Sequence, residues 1–355
     1  MNSISESFRN NPLLLNHIIP LDFNNVLKLP DSHAWTLFPD PLNDDDDSIP
    51  LIDLAQPHAL SLIRQACEIW GMFQVTNHGI PITLLHQIER QTQRLFALPA
   101  NQKLLALRSP DGFTGYGLAR ISNFFSKQMW YEGFTVMGYP EQHASQLWPN
   151  DHTIFCDVIE EYQREMKELA EKLIGLLLES LGLTPEDVNW FRNIHHHHHH
   201  HQDVLQLNSY PVCPDPGRAM GLPPHTDSSL LTVLHQSNAT GLQVLRDGIG
   251  WVPVHPVDGA LVVNVGDLMH IITNGRFKSA LHRALVNNTR HRMSIAYFYG
   301  PPRDVKISPL MKLIDFDHPN MYRPVTWKEY LDVKATHFDK ALEFIKYDAF
   351  MAKQF

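Results

Sequence analysis

Apolar positions in the first half of the chain recur with the helical period. Leu60, Ile63, Cys67 and Trp70 fall on one helical face, and Gly71 ends that helix. Leu84, Leu85, Ile88, Leu95 and Phe96 mark the face of a second helix. The longest predicted helix runs from about Thr153 to Leu181, along Phe155, Val158, Ile159, Tyr162, Met166, Leu169, Leu173, Ile174 and Leu177. Gly182 closes it, and Thr184-Pro185-Glu186-Asp187 reads as a fresh helix start. Ile49–Leu54, before the first helix, and Met72–Thr76, after it, read as short strands.

From Val204 the pattern shortens. Apolar runs at Val204–Tyr210, Leu230–His235, Leu242–Leu245, Trp251–His255, Ala260–Val265, Met269–Thr273, Ser279–Val286 and Met293–Tyr299 alternate with turn residues. Asn274-Gly275 predicts a hairpin, because both positions tolerate positive φ, and Asn287–Arg290 predicts another turn. About eight strands at this spacing imply a double-sheet barrel or jelly roll, a mainly β core with flanking helices. The tail returns to helix: Thr326 to Glu329 is a capping box, followed by a face of Trp327, Tyr330, Leu331, Phe338, Leu342 and Ile345. The expected division is a helical and mixed region at 1–200, a β core at 201–305 and a helical segment at 306–355.

Composition narrows the classes. With 43% hydrophobic residues, 18 Phe, 7 Trp and 10 Tyr, the chain of 355 residues has ample material for a core. A net charge of −9 argues against a nucleic-acid partner. No apolar stretch approaches the roughly 18 residues that span a membrane. The apolar run Leu13–Leu15 lacks the basic flank of a signal peptide. Three scattered cysteines suit a reducing, cytoplasmic location rather than a disulfide scaffold. The acidic run Asp44–Asp47 reads as a solvated linker, and the histidines His195–His201 as a surface loop rather than a preorganised site.

The chemistry concentrates in His225-Thr226-Asp227. In extended chain, residues two apart share a face, so imidazole and carboxylate can grip one metal. His282, on the strand after the predicted hairpin, completes a two-histidine, one-carboxylate set, the donor set of non-haem iron oxygenases. His-x-Asp also occurs at 201–203 and 337–339, but the first trails the histidine run and the third lies in helix, where the two side chains diverge. Arg292 and Ser294 share a face of the next strand, expected to be that of His282, and suit a bound dicarboxylate. A structural ion pair is the competing reading for Arg292.

With these residues the chain resembles the plant iron- and 2-oxoglutarate-dependent dioxygenases, as do Asn208–Pro214, Ile49–Asp53, Trp70–Gly79, Gly241–Leu245 and Val262–Asp267. Within that family it looks most like the gibberellin 3β-hydroxylases, through Gly115–Ser122, Met129–Thr135, Leu147–Pro149, Gly300–Pro302 and Tyr322–Tyr330. The resemblance implies a distorted double-stranded β-helix. It implies Fe(II) on His225, Asp227 and His282, with Arg292 and Ser294 holding 2-oxoglutarate and Tyr210 and Asn208 assisting. It further implies dioxygen as oxidant, ascorbate as an accessory reductant, a monomer, and hydroxylation of C19 gibberellins at the 3β position. Oxidation of another gibberellin carbon, of a flavonoid, or gibberellin binding without turnover are the alternatives. A diterpenoid acid calls for an apolar pocket; Phe124, Phe125, Met129, Trp130 and Phe134 are candidate walls, and Arg120 and Lys127 candidate carboxylate partners.

Overall fold

The computed structural model describes residues 21–36, 48–109, 112–188, 201–302 and 304–347. The acidic run, the apolar run Leu13–Leu15 and His195 to His200 lie outside them.

Two sheets face each other. The larger takes strands from both halves of the chain: β1 (Leu51–Asp53), β2 (Met72–Thr76), β3 (Gly115–Gly117), β4 (Glu132–Val136) and β5 (His201–Tyr210). The smaller begins with β6 (Met220–His225). The chain then continues through β7 (Leu231–Gln236), β8 (Leu242–Arg246), β9 (Gly250–Pro253), β10 (Leu261–Val265), β11 (His282–Leu285) and β12 (Arg292–Pro302). The large sheet runs β1-β2-β10-β7-β12-β5-β4-β3 and the small one β6-β11-β8-β9. This is the jelly-roll core with flanking helices that the strand spacing predicts.

The predicted helices form where the apolar period is clean. Ala59–Ile69 (α1) and Ile82–Phe96 (α2) pack on Thr153–Ser180 (α3). All nine stripe residues of α3 named above are buried, as are the five of α2. Thr184–Asp187 opens only a three-residue 3-10 turn among the described residues, with the Asp187 carboxylate accepting from the Thr184 N–H at 2.8 Å.

Two predictions change. Met269–Thr273 is not a strand: Asp267–Ile272 is a helix (α4), and Asn274-Gly275 is its C-terminal cap rather than a hairpin turn. The Gly275 N–H donates to the His270 carbonyl at 2.9 Å and that of Asn274 to Ile271 at 3.0 Å, the paired bonds of a Schellman motif. The positive φ at both residues that suggests a hairpin serves this cap equally well. The C-terminal face is also broken. The capping box starts Trp327–His337 (α5), but Phe338, at φ 45°, turns the chain before the next short helix at Ala341–Phe344. No helix among the described residues is long and apolar enough to cross a membrane.

Candidate active site

The antiparallel pairing of β6 and β11 sets His225 directly opposite His282, with ring centroids 4.3 Å apart. Beyond His225 the strand ends, and the chain brings Asp227 Oδ1 to 3.8 Å from His225 Nε2 and 3.9 Å from His282 Nε2. One ligand atom from each of the three lies within 4.8 Å of the others.

The outer contacts aim these atoms inward. His225 Nδ1 donates to the Pro223 carbonyl at 2.8 Å, and His282 Nδ1 to that of Ala280 at 3.0 Å. A carbonyl only accepts, so each Nδ1 carries the proton and each Nε2 keeps its lone pair. Asp227 Oδ2 accepts from Thr232 Oγ1 at 2.7 Å and Asn264 Nδ2 at 3.3 Å, which leaves Oδ1 facing the imidazoles. Burial, then the neighbouring His282 ring, pushes the His225 pKa down and keeps it neutral. Burial works to raise the Asp227 pKa, but the two imidazoles, Thr232 and Asn264 outweigh it and hold the carboxyl below its ordinary range. Two imidazoles turned inward through Nε2 and one carboxylate on one side of a cavity suit a divalent transition metal with open positions, and fit Fe(II).

Across the cavity, Arg292 and Ser294 stand on β12, opposite Tyr210 and Asn208 of β5 in the ladder. They do not share a sheet with His282, as the sequence suggests. The turn at 287–290, where Asn287 Oδ1 accepts from the Arg290 N–H at 2.6 Å, carries the chain from the small sheet to the large one. The inward faces of both sheets nevertheless meet in one cavity of about 290 Å³. Arg292 is 1% exposed and donates to Gln236 Oε1 at 3.1 Å; its guanidinium lies 4.9 Å from the Tyr210 ring centre. Its Nε has no partner, and among the described residues no carboxylate pairs with it. The ion-pair reading for Arg292 therefore fails. A Cβ at Gly241 would stand 2.9 Å from Arg292 Cδ, so only glycine lets this side chain pass. Burial raises the Tyr210 phenol, which stays protonated and able to donate.

The 2OG-Fe(II) oxygenase superfamily model matches residues 201–301, and the model for the non-haem dioxygenase in morphine synthesis N-terminal region matches 49–152. Gibberellin 3-beta-dioxygenase 3 of Arabidopsis thaliana is 52% identical over 348 residues, 96% of this chain and 99% of that protein. The chain belongs to the 2OG-Fe(II) oxygenase superfamily. Gibberellin 3-beta-dioxygenase 1 of Pisum sativum is 51% identical over 98% of this chain and 94% of its own length. Among solved structures, that of JOX2 in complex with 2OG, Fe and JA matches with a TM-score of 0.78 and 30% identity, over 91% of this chain and 95% of that one. As a 2OG-Fe(II) oxygenase the protein is an enzyme that uses Fe(II), 2-oxoglutarate and dioxygen on a small molecule.

The oxygenase also has a latch that the sequence pattern does not reveal. Asp267, fully buried at the start of α4, accepts from Ser279 Oγ at 2.6 Å, Tyr330 OH at 2.8 Å and Thr226 Oγ1 at 3.1 Å, and pairs with Lys334. Lys334 Nζ also donates to the Thr226 carbonyl at 2.7 Å. Helix α5 is thereby fastened to the residue between His225 and Asp227. The one sequence signal is an acid closing the apolar strand Val262–Val265.

The expected pocket walls need correction. Of the five aromatic and Met candidates only Phe124 lines the cavity. Met129, Trp130 and Phe134 are buried in the core, with Trp130 edge-on to Phe23 at 4.9 Å. Phe125 packs edge-on to Phe338 at 5.6 Å, behind the wall. The apolar walls are Phe113, Ile121, Phe124, Phe298, Trp327 and Phe338, with Phe124 and Phe338 stacked at 4.6 Å. Lys127 points elsewhere, donating to the Asp31 carbonyl at 2.8 Å. Arg120 does line the cavity, its guanidinium 6.0 Å from the Phe113 ring centre.

Thr232→Val is expected to weaken metal binding by about tenfold, the lower end for loss of a partner that orients a ligand. Calorimetric titration with Mn(II) measures this; unchanged affinity would show that Thr232 does not orient Asp227.

Proposed function

We propose that the protein hydroxylates C19 gibberellins at the 3β position, with Fe(II) held by His225, Asp227 and His282. The observation that carries the chemistry is that this triad and the carboxylate-free Arg292 face one apolar cavity from opposite sheets. The substrate rests on the names of full-length relatives at about 50% identity.

When bound, Fe(II) with 2-oxoglutarate and dioxygen supplies an oxidant that replaces an unactivated C–H with C–OH, releasing succinate and carbon dioxide. The chain's own residues prepare that event. Arg292 offers its fork to the far carboxylate of 2-oxoglutarate, and Ser294 and Tyr210 add hydroxyl donors. Asn208 Nδ2 donates to Ser294 Oγ at 3.3 Å, which turns the Ser294 proton toward Tyr210 and that carboxylate. Phe124, Phe298, Trp327 and Phe338 exclude water and fix the orientation of a rigid polycycle. Ascorbate is proposed as the accessory reductant, a monomer as the working form and the cytoplasm as the compartment. The three cysteines are unpaired, buried thiols, in keeping with a reducing environment.

Incubation with a 3-deoxy C19 gibberellin is expected to add one oxygen at C3 with stoichiometric succinate, identified by mass spectrometry and NMR. Exclusive oxidation at C2 or C20, turnover confined to flavonoids, or binding without succinate would each overturn this reading.

A further inference from the structure

Two buried arginines line the cavity without a carboxylate partner among the described residues. Arg292 is assigned to the co-substrate above. Arg108 has no assigned role, and its surroundings are unusual for a charge. It is 5% exposed. Its Nη1 donates to Thr135 Oγ1 at 3.3 Å and its Nη2 to the Leu118 carbonyl, while Nε has no partner. Burial lowers its pKa to about 10; the Tyr131 phenol works weakly the other way, and no carboxylate does. By contrast Lys103, equally buried, is neutralised by Glu132 at 2.5 Å. Burying a guanidinium without a counter-ion is costly, and an anion arriving from the cavity would offset that cost.

The side chains beyond Arg108 are ordered in one direction. Thr135 Oγ1 donates to Gln206 Oε1 at 2.6 Å, Gln206 Nε2 to Tyr131 OH at 3.1 Å, and Tyr131 OH to Asn208 Oδ1 at 2.8 Å. Asn208 Nδ2 then reaches Ser294 Oγ at 3.3 Å. Each hydroxyl along this chain gives its single proton to the next member. Toward Arg108 the chain therefore offers only lone pairs, and at the other end a hydroxyl proton. One row of side chains thus links the two arginines, accepting from Arg108 at Thr135 and ending at the Ser294 hydroxyl beside Arg292.

We propose that Arg108 receives the carboxylate of the substrate and makes the enzyme selective for acids over their neutral analogues. The cavity then takes two anions: the dicarboxylate at Arg292 and an apolar monocarboxylate at Arg108. The inference rests on the gibberellin reading for the identity of that acid; the berth itself requires only an apolar molecule with one carboxylate. Arg120 lines the same cavity against Phe113, with its guanidinium nitrogens also buried, and is the competing cation that the experiment must separate from Arg108.

The test compares a C19 gibberellin with its methyl ester, binding anaerobically to enzyme loaded with Mn(II) and 2-oxoglutarate. The wild type is expected to prefer the acid by at least about tenfold, the worth of one charge-assisted hydrogen bond. Arg108→Gln should bring the acid-to-ester ratio close to one. Arg108→Lys, which keeps the charge without the fork, should retain part of it. Arg120→Gln should leave the ratio as in the wild type. A wild-type ratio in both Arg108 variants, or its loss in Arg120→Gln, would overturn the proposal while leaving gibberellin hydroxylation standing. Wild-type enzyme that binds a neutral flavonoid and neither gibberellin form would overturn both.

Discussion

Alanine at any one of His225, Asp227 or His282 is expected to end hydroxylation, with succinate release falling below detection. The three ligand atoms lie within 4.8 Å of one another, and among the described residues no other cluster of histidine, cysteine and acidic side chains could hold the ion. A partner that merely orients a ligand costs roughly 10- to 100-fold in metal affinity when removed. Removing the ligand itself should exceed that range. His225→Ala and His282→Ala delete a ring whose Nδ1 bonds only a nearby backbone carbonyl, so the sheets should survive. Asp227→Asn is the better choice at the acid, because it preserves volume where Thr232 and Asn264 make their bonds. Calorimetric titration with Mn(II), alongside circular dichroism, separates loss of the site from loss of the fold. A folded variant that binds metal as the wild type does would remove its residue from the site.

The second large effect is expected at Arg292→Lys. Lysine keeps the positive charge but loses the planar fork, the bond to Gln236 and the stacking on Tyr210. A hydrogen bond to a charged group is worth about 1.5–3 kcal/mol, so the 2-oxoglutarate requirement should rise roughly 10- to 150-fold. Metal affinity should change little, because the triad stands on the other sheet. Initial rates against 2-oxoglutarate at saturating iron measure this. An unchanged requirement would refute the role of Arg292.

The parts of the fold legible in the sequence are those where one face is buried and the other wet. The stripes of α2 and α3 are of this kind. The periodicity fails where burial is uniform: Leu268, Met269, Ile271 and Ile272 are all buried, so a short helix looks like a strand. Strand β6 has no alternation to read, since Met-Gly-Leu-Pro-Pro-His carries two prolines. It tolerates them because it lies at the edge of the small sheet, where some N–H groups need no partner. Strand β3, Gly-Tyr-Gly, is equally silent. In the site, the triad is visible because two ligands are spaced two apart in sequence and the third follows on a strand. Thr232, Asn264, Asp267 and Lys334 are ordinary letters whose role appears only when distant segments meet. The aromatic walls mislead for a related reason: Met129, Trp130 and Phe134 alternate in sequence with the cavity-lining Tyr131 and Thr135 but face the core.

The division of the site between two sheets has a mechanical consequence. The triad belongs to the four-stranded sheet and its loop, while Arg292 and Ser294 belong to the eight-stranded one. A molecule gripped at one end by the triad's metal and at the other by Arg292 is a cross-brace through the sandwich. Either hold by itself stiffens only one wall. Both together resist the parting of the walls, so slow opening of the barrel becomes a property of the loaded enzyme's contents as much as of its packing.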